Sequence, residues 1–343
     1  MSIGVNGPKV GIVIINWKSY DDIVECVDSI KASDYINYEI IVVDNASPDG
    51  SGEQIEKTVP GIVFIKSKEN LGWGGGNNLG IKAALARGAD YAWLLNADTK
   101  ITPDCLSEMV RAAQMDPAAG LLTPLIYYYL DPQKLQHAGS VFNWPEFSVR
   151  SICDVRELDA IDENNLWLWG TALLIKKELL EAAGYYNEEY FVYCEDMEYA
   201  MRARQNGYTP KVVLSAKIYH KCHEINKGVR KNMPLHYYFY QTRNVFWFWA
   251  SYVKGFRKLR FLRFYLIQIL EEIGHSKELG RRDIIDACLD GFYCALRNKG
   301  GVWDSTFHMP KILKGLATSH PFFFMRMLKG EILCSVHDKL RRA

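Results

Sequence analysis

The sequence predicts an α/β protein built on a doubly wound sheet, followed by a separate helical region. Three observations predict it. Short apolar runs alternate with stretches of helical periodicity through the first half of the chain. The apolar runs give way to small polar or acidic residues, and beyond about residue 233 the composition turns aromatic and basic. Strands spaced by helices form parallel sheets, which bind ligands outside the carboxyl ends of their strands.

The elements follow in order. Residues 10–15 form an unbroken apolar strand, and Ile23, Cys26, Val27 and Ile30 recur at helical spacing through 20–32. Residues 38–43 and 62–66 are the second and third strands. A glycine-rich stretch leads to a helix over 78–87, and 92–95 are the fourth strand. Thr102 and Pro103 make an N-cap and first-turn pair for a helix carrying Leu106, Met109, Val110 and Ala113. Strands are expected over 121–129, 166–175 and 211–219, with a polar insertion before the second. Helices are expected over 176–183 and 195–205. Residues 237–273 are dense in Tyr, Phe, Trp and Leu, yet broken by Lys254, Arg257, Lys258, Arg260 and Arg263. The domain expectation is therefore 1–232, in halves of about 1–120 and 121–232, followed by helices over 233–343.

Composition excludes several classes. A formal charge of +1 leaves no basic excess for general nucleic-acid binding. The eight cysteines contain no CxxC pair, which suits reduced thiols better than disulfides or a zinc ribbon. The opening MSIGVNGPKVGIVIINW lacks a basic n-region and a cleavage site, and no apolar run reaches the ~18 residues of a membrane span. A cytoplasmic protein is expected.

The strand ends carry the chemistry. The first strand ends at Asn16-Trp17 and the second at Asp44-Asn45-Ala46-Ser47, where a carboxylate could hold a base or ribose. Glu69 to Asn78 is rich in glycine and opens a helix, so backbone N–H groups can approach an anion. It matches neither the dinucleotide fingerprint nor a P-loop. The fourth strand delivers Asn96-Ala97-Asp98. This could be a turn with a cap, or a carboxylate holding a hard cation against a diphosphate. Glu195-Asp196 opens a helix, where acids also serve the dipole. His220 closes a strand beside Cys222-His223, a pair that hints at zinc without a second ligand cluster.

Taken together, VGIVIINW, IIVVDNASPDGS, ENLGWGGGNNLGIKAA, WLLNADTKITPD, LWGTALLIKKELLEAAGYYNEEYFVYCEDMEYAMRARQNGY and IYHKCHE resemble, in order and spacing, the inverting family 2 glycosyltransferases. The resemblance covers residues 9 to about 225 and implies the GT-A nucleotide-sugar fold, with a mixed sheet. It implies that Asp44 holds the nucleobase with help from Asn16 and its neighbour Asn45, and that Asn70, Gly72 and Asn77 lie near the nucleotide and phosphates. Asn96-Ala97-Asp98 stands where the family has Asp-x-Asp, with Asp98 as ligand of manganese or magnesium and Asn96 beside the donor. His220 matches a position that completes the metal site. Glu195-Asp196 matches the family's acid pair, the second acid being the base, and Trp169, Gly170 and Thr171 match an acceptor-side segment.

The segments LIYYYLDPQKLQHAGSVF and YYFYQTRN further resemble bacterial rhamnosyltransferase-type enzymes of surface-polysaccharide assembly. By that likeness Arg243 contacts the donor phosphates, or else caps the helical region. The implied donor is deoxythymidine-diphosphate-rhamnose or a uridine-diphosphate sugar, and the acceptor a glycan or lipid-linked hydroxyl. The aromatic and basic zone of 245–263 has two readings: peripheral contact with the inner face of the cell membrane, or packing against the catalytic domain or a second subunit in a homodimer. Two rival functions stand beside transfer. A sugar nucleotidyltransferase would need a basic glycine-rich loop where IINWKSYDD stands, and a silent carbohydrate-binding or scaffold protein would explain Asn96 in place of an acid.

Overall fold

The apolar run at the start forms β1 (Val10–Asn16), and β2 (Tyr38–Asp44), β3 (Ile62–Lys66) and β4 (Tyr91–Leu95) follow. The structure is a computed structural model that describes residues 7–222, 233–304, 306–319 and 321. β1 pairs in parallel with β2 and β4, and β2 with β3. Alternation sorts their side chains onto two faces. Ile12, Ile14, Val42 and Trp93 join one core with Ile23 and Val27 of α1 (Tyr20–Lys31), whereas Ile41 and Val43 meet Ala84 on the other face.

Between these strands lie α2 (Ser51–Thr58) and α3 (Gly72–Ala86). The helix expected from residue 78 starts at 72, so the glycine run is helical. The reason is close packing: a Cβ on Gly80 would fall 2.3 Å from Val13 Cγ1, and one on Gly76 3.0 Å from Ile15 Cδ1. Glycine lets α3 lie directly on β1, and that contact outweighs its poor helix propensity of ~1 kcal/mol per residue.

The second half adds β5 (Thr99–Ile101), α4 (Cys105–Met115), β6 (Ala119–Tyr128), β7 (Leu135–His137), β8 (Ser140–Asn143), β9 (Ser148–Ser151), β10 (Leu166–Trp167), β11 (Ala172–Lys176), α5 (Lys177–Ala183), α6 (Glu195–Gln205) and β12 (Thr209–His220). The main sheet runs β3-β2-β1-β4-β11-β6-β12-β5, with β7 on β6. It is mixed: β11 is antiparallel to β4 and β6, β12 is parallel to β6, and β5 is antiparallel to β12. The strand expected over 166–175 is two strands in two sheets. Its first part pairs with β8 in a small antiparallel sheet, β10-β8-β9, that accounts for much of the polar insertion. Trp169 Nε1 donates to Ser140 Oγ at 2.7 Å, and a turn at Gly170-Thr171 leads the chain back into the main sheet.

The chain divides into two compact units, residues 1–227 and 228–343. The second contains α7 (Leu235–Tyr252), α8 (Arg257–Glu278), α9 (Arg282–Leu296) and α10 (Lys311–Ser319). The aromatic run is thus two helices, parted where Gly255 takes a φ of 60°. Phe239, Tyr240, Phe248 and Trp249 are buried, and Gly291 of α9 lies so close to α7 that a Cβ would fall 2.5 Å from Phe239 O. Among the described residues no helix is long and apolar enough to cross a membrane.

Candidate active site

The carboxyl ends of β1 and β2 are locked together by side chains. Asn16 is fully buried, and its Nδ2 donates to Asp44 Oδ1 at 2.8 Å and Ser51 Oγ at 2.9 Å. Asp44 Oδ1 also accepts from Ser47 N at 3.3 Å, whereas Oδ2 is buried and has no hydrogen-bond partner among the described residues. A buried acceptor without a donor costs ~1–3 kcal/mol, which a ligand N–H would relieve. Gly52 leaves the carboxylate its room: a Cβ there would fall 2.4 Å from Oδ2. In the sequence Gly52 belongs to a PDGSG run, which signals a turn before anything else.

Asn45, Asn70 and Gly72 form one knot at the start of α3. Asn45 Nδ2 donates to Asn70 Oδ1 at 3.1 Å and to Gly72 O at 3.0 Å, and its Oδ1 accepts from Leu71 N at 3.0 Å. Asn70 Oδ1 also accepts from Gly72 N at 2.9 Å. Asn77 donates to Trp73 O at 2.9 Å and lines a cleft of about 230 Å³ together with Trp17, Trp73, Asn96 and Asp98. Trp17 closes the first strand end and Trp73 lies within the glycine-rich stretch. Trp73 Nε1 reaches Asn96 Oδ1 at 3.5 Å, so Asn96 steadies the cleft wall. Its backbone N–H donates to Thr171 O at 2.9 Å, tying the end of β4 to the turn at Gly170-Thr171.

Asp98 and His220 meet because β12 pairs with β5, placing His220 opposite Thr99. Their Oδ1 and Nε2 are 3.2 Å apart. His220 Nδ1 lies 2.8 Å from Gln136 Oε1, and an amide oxygen only accepts, so Nδ1 donates and Nε2, an acceptor in the neutral ring, is the nitrogen turned to the carboxylate. Two acceptors facing one another call for a proton or a cation between them. One carboxylate oxygen and one imidazole nitrogen are a donor set that manganese or magnesium accepts. No cluster of three or more metal-ligating side chains occurs among the described residues. His223 lies outside them. Burial raises the Cys222 thiol, which keeps it protonated and weakens the case for zinc.

The acids Glu195 and Asp196 begin α6 after a strained approach: Phe191, Tyr193 and Cys194 all have positive φ, between 62° and 69°. Such conformations cost ~1 kcal/mol or more each in non-glycine residues. Phe191 O accepts from Trp73 N at 2.7 Å, fastening this loop to α3. Burial raises both carboxyls. Asp196 is pushed up to about 6, held there against further rise by the backbone N–H groups of Met197 at 2.8 Å and Gly170 at 3.3 Å. Glu195 is driven well above the usual range by burial and by the neighbouring Asp196 charge, and its Oε2 has no hydrogen-bond partner among the described residues. Burial thus favours the protonated form of both acids, while the two backbone N–H groups favour ionisation at Asp196.

Gly170 sits against Trp73, where a Cβ would fall 2.2 Å from the ring. Trp169 stacks on Trp167 with ring centroids 5.2 Å apart. Arg243 belongs to the second unit and is 1% exposed. There its guanidinium donates to Gly301 O at 2.7 Å and Asn244 Oδ1 at 2.9 Å, and lies 4.9 Å from the ring centroids of Tyr240 and Trp247.

Comparison with known proteins fits this geometry. The family described as "Glycosyl transferase family 2" matches residues 11–183. The N-acetylglucosaminyl-diphospho-decaprenol L-rhamnosyltransferase of Mycobacterium tuberculosis is 25% identical over 236 residues, 62% of this chain and 77% of that protein. The low-salt glycan biosynthesis hexosyltransferase Agl10 of Haloferax volcanii is 29% identical over 207 residues, 58% of this chain and 62% of that one. In fold, the chain resembles GalNAc-T7 solved with UDP, GalNAc and Mn2+, with a TM-score of 0.56 at 13% identity over 93% of this chain and 59% of the other. Staphylococcus aureus TarS gives 0.56 at 16% identity, over 92% and 54%. The mixed sheet is of the GT-A type.

The crowding at Gly52 yields a test. Gly52→Ala should push the Asp44 carboxylate aside and weaken nucleotide binding by ~10-fold or more, measured by calorimetry, with the melting temperature changed by only a few degrees.

Proposed function

The chain belongs to glycosyl transferase family 2, and we propose that it moves a sugar from a nucleotide-diphosphate donor to a hydroxyl of a glycan or lipid-linked acceptor in one inverting displacement. The observation that carries this reading is the division of labour between Glu195 and Asp196. Only Asp196 receives backbone N–H groups on both oxygens, so it is the carboxylate available to take a proton near neutral pH.

The donor half is residues 1–120 and the acceptor half 121–232. Asp44 accepts from the nucleobase through Oδ2, in the pocket that Gly52 leaves open. The backbone at the start of α3, shaped by Asn45, Asn70 and Gly72, lines the diphosphate side, with Asn77 and Asn96 on the cleft wall. Asp98 and His220 would hold a divalent cation, which when bound offsets the charge of the departing diphosphate. On the acceptor side Trp169, next to Gly170 and Thr171, offers a half-buried ring to a sugar. Asp196 accepts the proton of the acceptor hydroxyl as that oxygen attacks the anomeric carbon from the face opposite the nucleotide. The C–O bond to the diphosphate breaks as the new one forms, so no enzyme nucleophile is needed.

The donor is deoxythymidine-diphosphate-rhamnose or a uridine-diphosphate sugar, and the product a cell-surface polysaccharide. What supports this is the likeness to a rhamnosyltransferase whose name specifies a lipid diphosphate acceptor. A nucleotidyltransferase is disfavoured by the family match and by the lack of a basic triphosphate loop after β1.

Asp196→Asn should lower turnover ~100- to 10,000-fold while donor affinity stays within a few-fold. Wild-type turnover in this variant would remove Asp196 from the role. In the wild type, the rate should climb as pH rises through about 6, because the base works only when ionised. The same raised pKa means the folded protein holds a proton that the unfolded chain releases between the ordinary carboxyl range and about 6. Stability should therefore fall with rising pH across that window, with a shallower slope in Asp196→Asn, where Glu195 alone of the pair still contributes in that direction.

Removing the metal ligand gives a second outcome. Asp98→Ala should abolish the manganese dependence of donor binding, read by calorimetry with and without chelator. Asn96→Asp should bind donor and manganese as the parent does, since either side chain offers an oxygen to Trp73 Nε1.

A further inference from the structure

The turn between α7 and α8 carries a surface that sugar transfer leaves unused. Val253 ends α7 facing inward, and Gly255 then turns the chain so that residues 254–260 are all exposed. Phe256 is 92% exposed, Leu259 68% and Leu262 37%. Isolated apolar side chains at a surface are ordinary, but three within seven residues form a patch. On the same helix Phe261, Tyr265 and Ile269 recur four apart and are buried, so the exposed residues are not a core stripe turned outward by mistake.

Charge gives the patch its partner. Residues 253–263 hold Lys254, Arg257, Lys258, Arg260 and Arg263, and no acid. Arg257 and Lys258 fall in the first turn of α8, which contains no acidic residue. Cations there run against the helix dipole, so the tip favours negative charge in its surroundings.

We propose that this tip docks on an anionic lipid surface. Phe256, Leu259 and Leu262 enter the boundary between headgroups and acyl chains, and the five cations meet lipid phosphates. The long stems of Lys and Arg let their charges stay at headgroup level while the apolar side chains go deeper. A second copy of this chain fits the patch poorly, because a two-fold contact would press five cations against five. Nucleic acid would use the cations but has no place for three exposed apolar side chains.

The test needs no sugar donor, so it stands or falls apart from the proposed reaction. The full-length protein is floated with vesicles of phosphatidylcholine alone and with roughly 30% phosphatidylglycerol added. Flotation should require the anionic lipid and weaken as sodium chloride rises. Phe256→Ser with Leu259→Ser should lower partitioning by ~10-fold or more. Lys254→Gln, Arg257→Gln and Lys258→Gln together should lower it by ~100-fold. Melting curves and donor binding of both variants should match the parent, which separates loss of docking from loss of fold. The proposal is overturned if the parent ignores anionic vesicles or the variants float like the parent. It is equally overturned if the variants instead abolish a concentration-dependent dimer in sedimentation, or binding to duplex DNA, while lipid binding persists.

Discussion

Burying Glu195 and Asp196 side by side at the start of α6 sets a cost that most of the surrounding architecture answers. Two dry carboxylates cannot both ionise, and what decides between them is the supply of backbone N–H groups. Met197 supplies one from within the helix, but the other comes from Gly170, in the gap between β10 and β11. That gap exists because the chain leaves the small sheet for the main one at this point. Trp73 closes against Gly170 from α3, and Trp73 N is clasped by Phe191 O of the strained loop that leads into α6. A single amide thus links both sheets and two helices to the ionisation of one oxygen pair.

The pair of Asp98 and His220 is ordered by a different device. The pairing of β12 with β5 brings His220 to Asp98, and Gln136 fixes which imidazole nitrogen faces the carboxylate. The next residue anchors the arrangement: Lys221 N donates to Asp98 O at 3.0 Å, and Lys221 Nζ lies 2.7 Å from both Asp22 and Glu25 of α1. Lys221, with Tyr129, holds the Glu25 carboxyl below its usual range, so this tie persists in mildly acidic solution where the base is already losing its charge.

Much of this was legible in the sequence, because the strand ends announce themselves. An apolar run that stops at Asn16, Asp44 or Asn96-Ala97-Asp98 declares both the strand and the polar cargo it delivers. Residues that act by being absent or by orienting others gave no such signal. Gly52 matters for the Cβ it lacks, and a glycine in a turn looks the same whether or not a carboxylate sits behind it. Gln136 lies in a polar insertion with no periodicity, and its partner is 84 residues away. The split at Gly170 was hidden by the apolar Leu166 to Ile175 run, whose continuity is a property of burial rather than of one strand. The early start of α3 was hidden in the same way, since tertiary contact with Val13 and Ile15 overrode the local preference of glycine for a loop.

The central claim is a single displacement governed by one base, and the stereochemistry of the product tests it without any mutation. Donor hydrolysis or transfer can be followed by proton NMR from the first minutes, before the released sugar mutarotates. The account predicts that the first product carries the anomeric configuration opposite to that of the donor sugar. A product that retains the donor configuration would require a covalent or ion-pair intermediate on the enzyme, and would contradict Asp196 as the base of one inverting step.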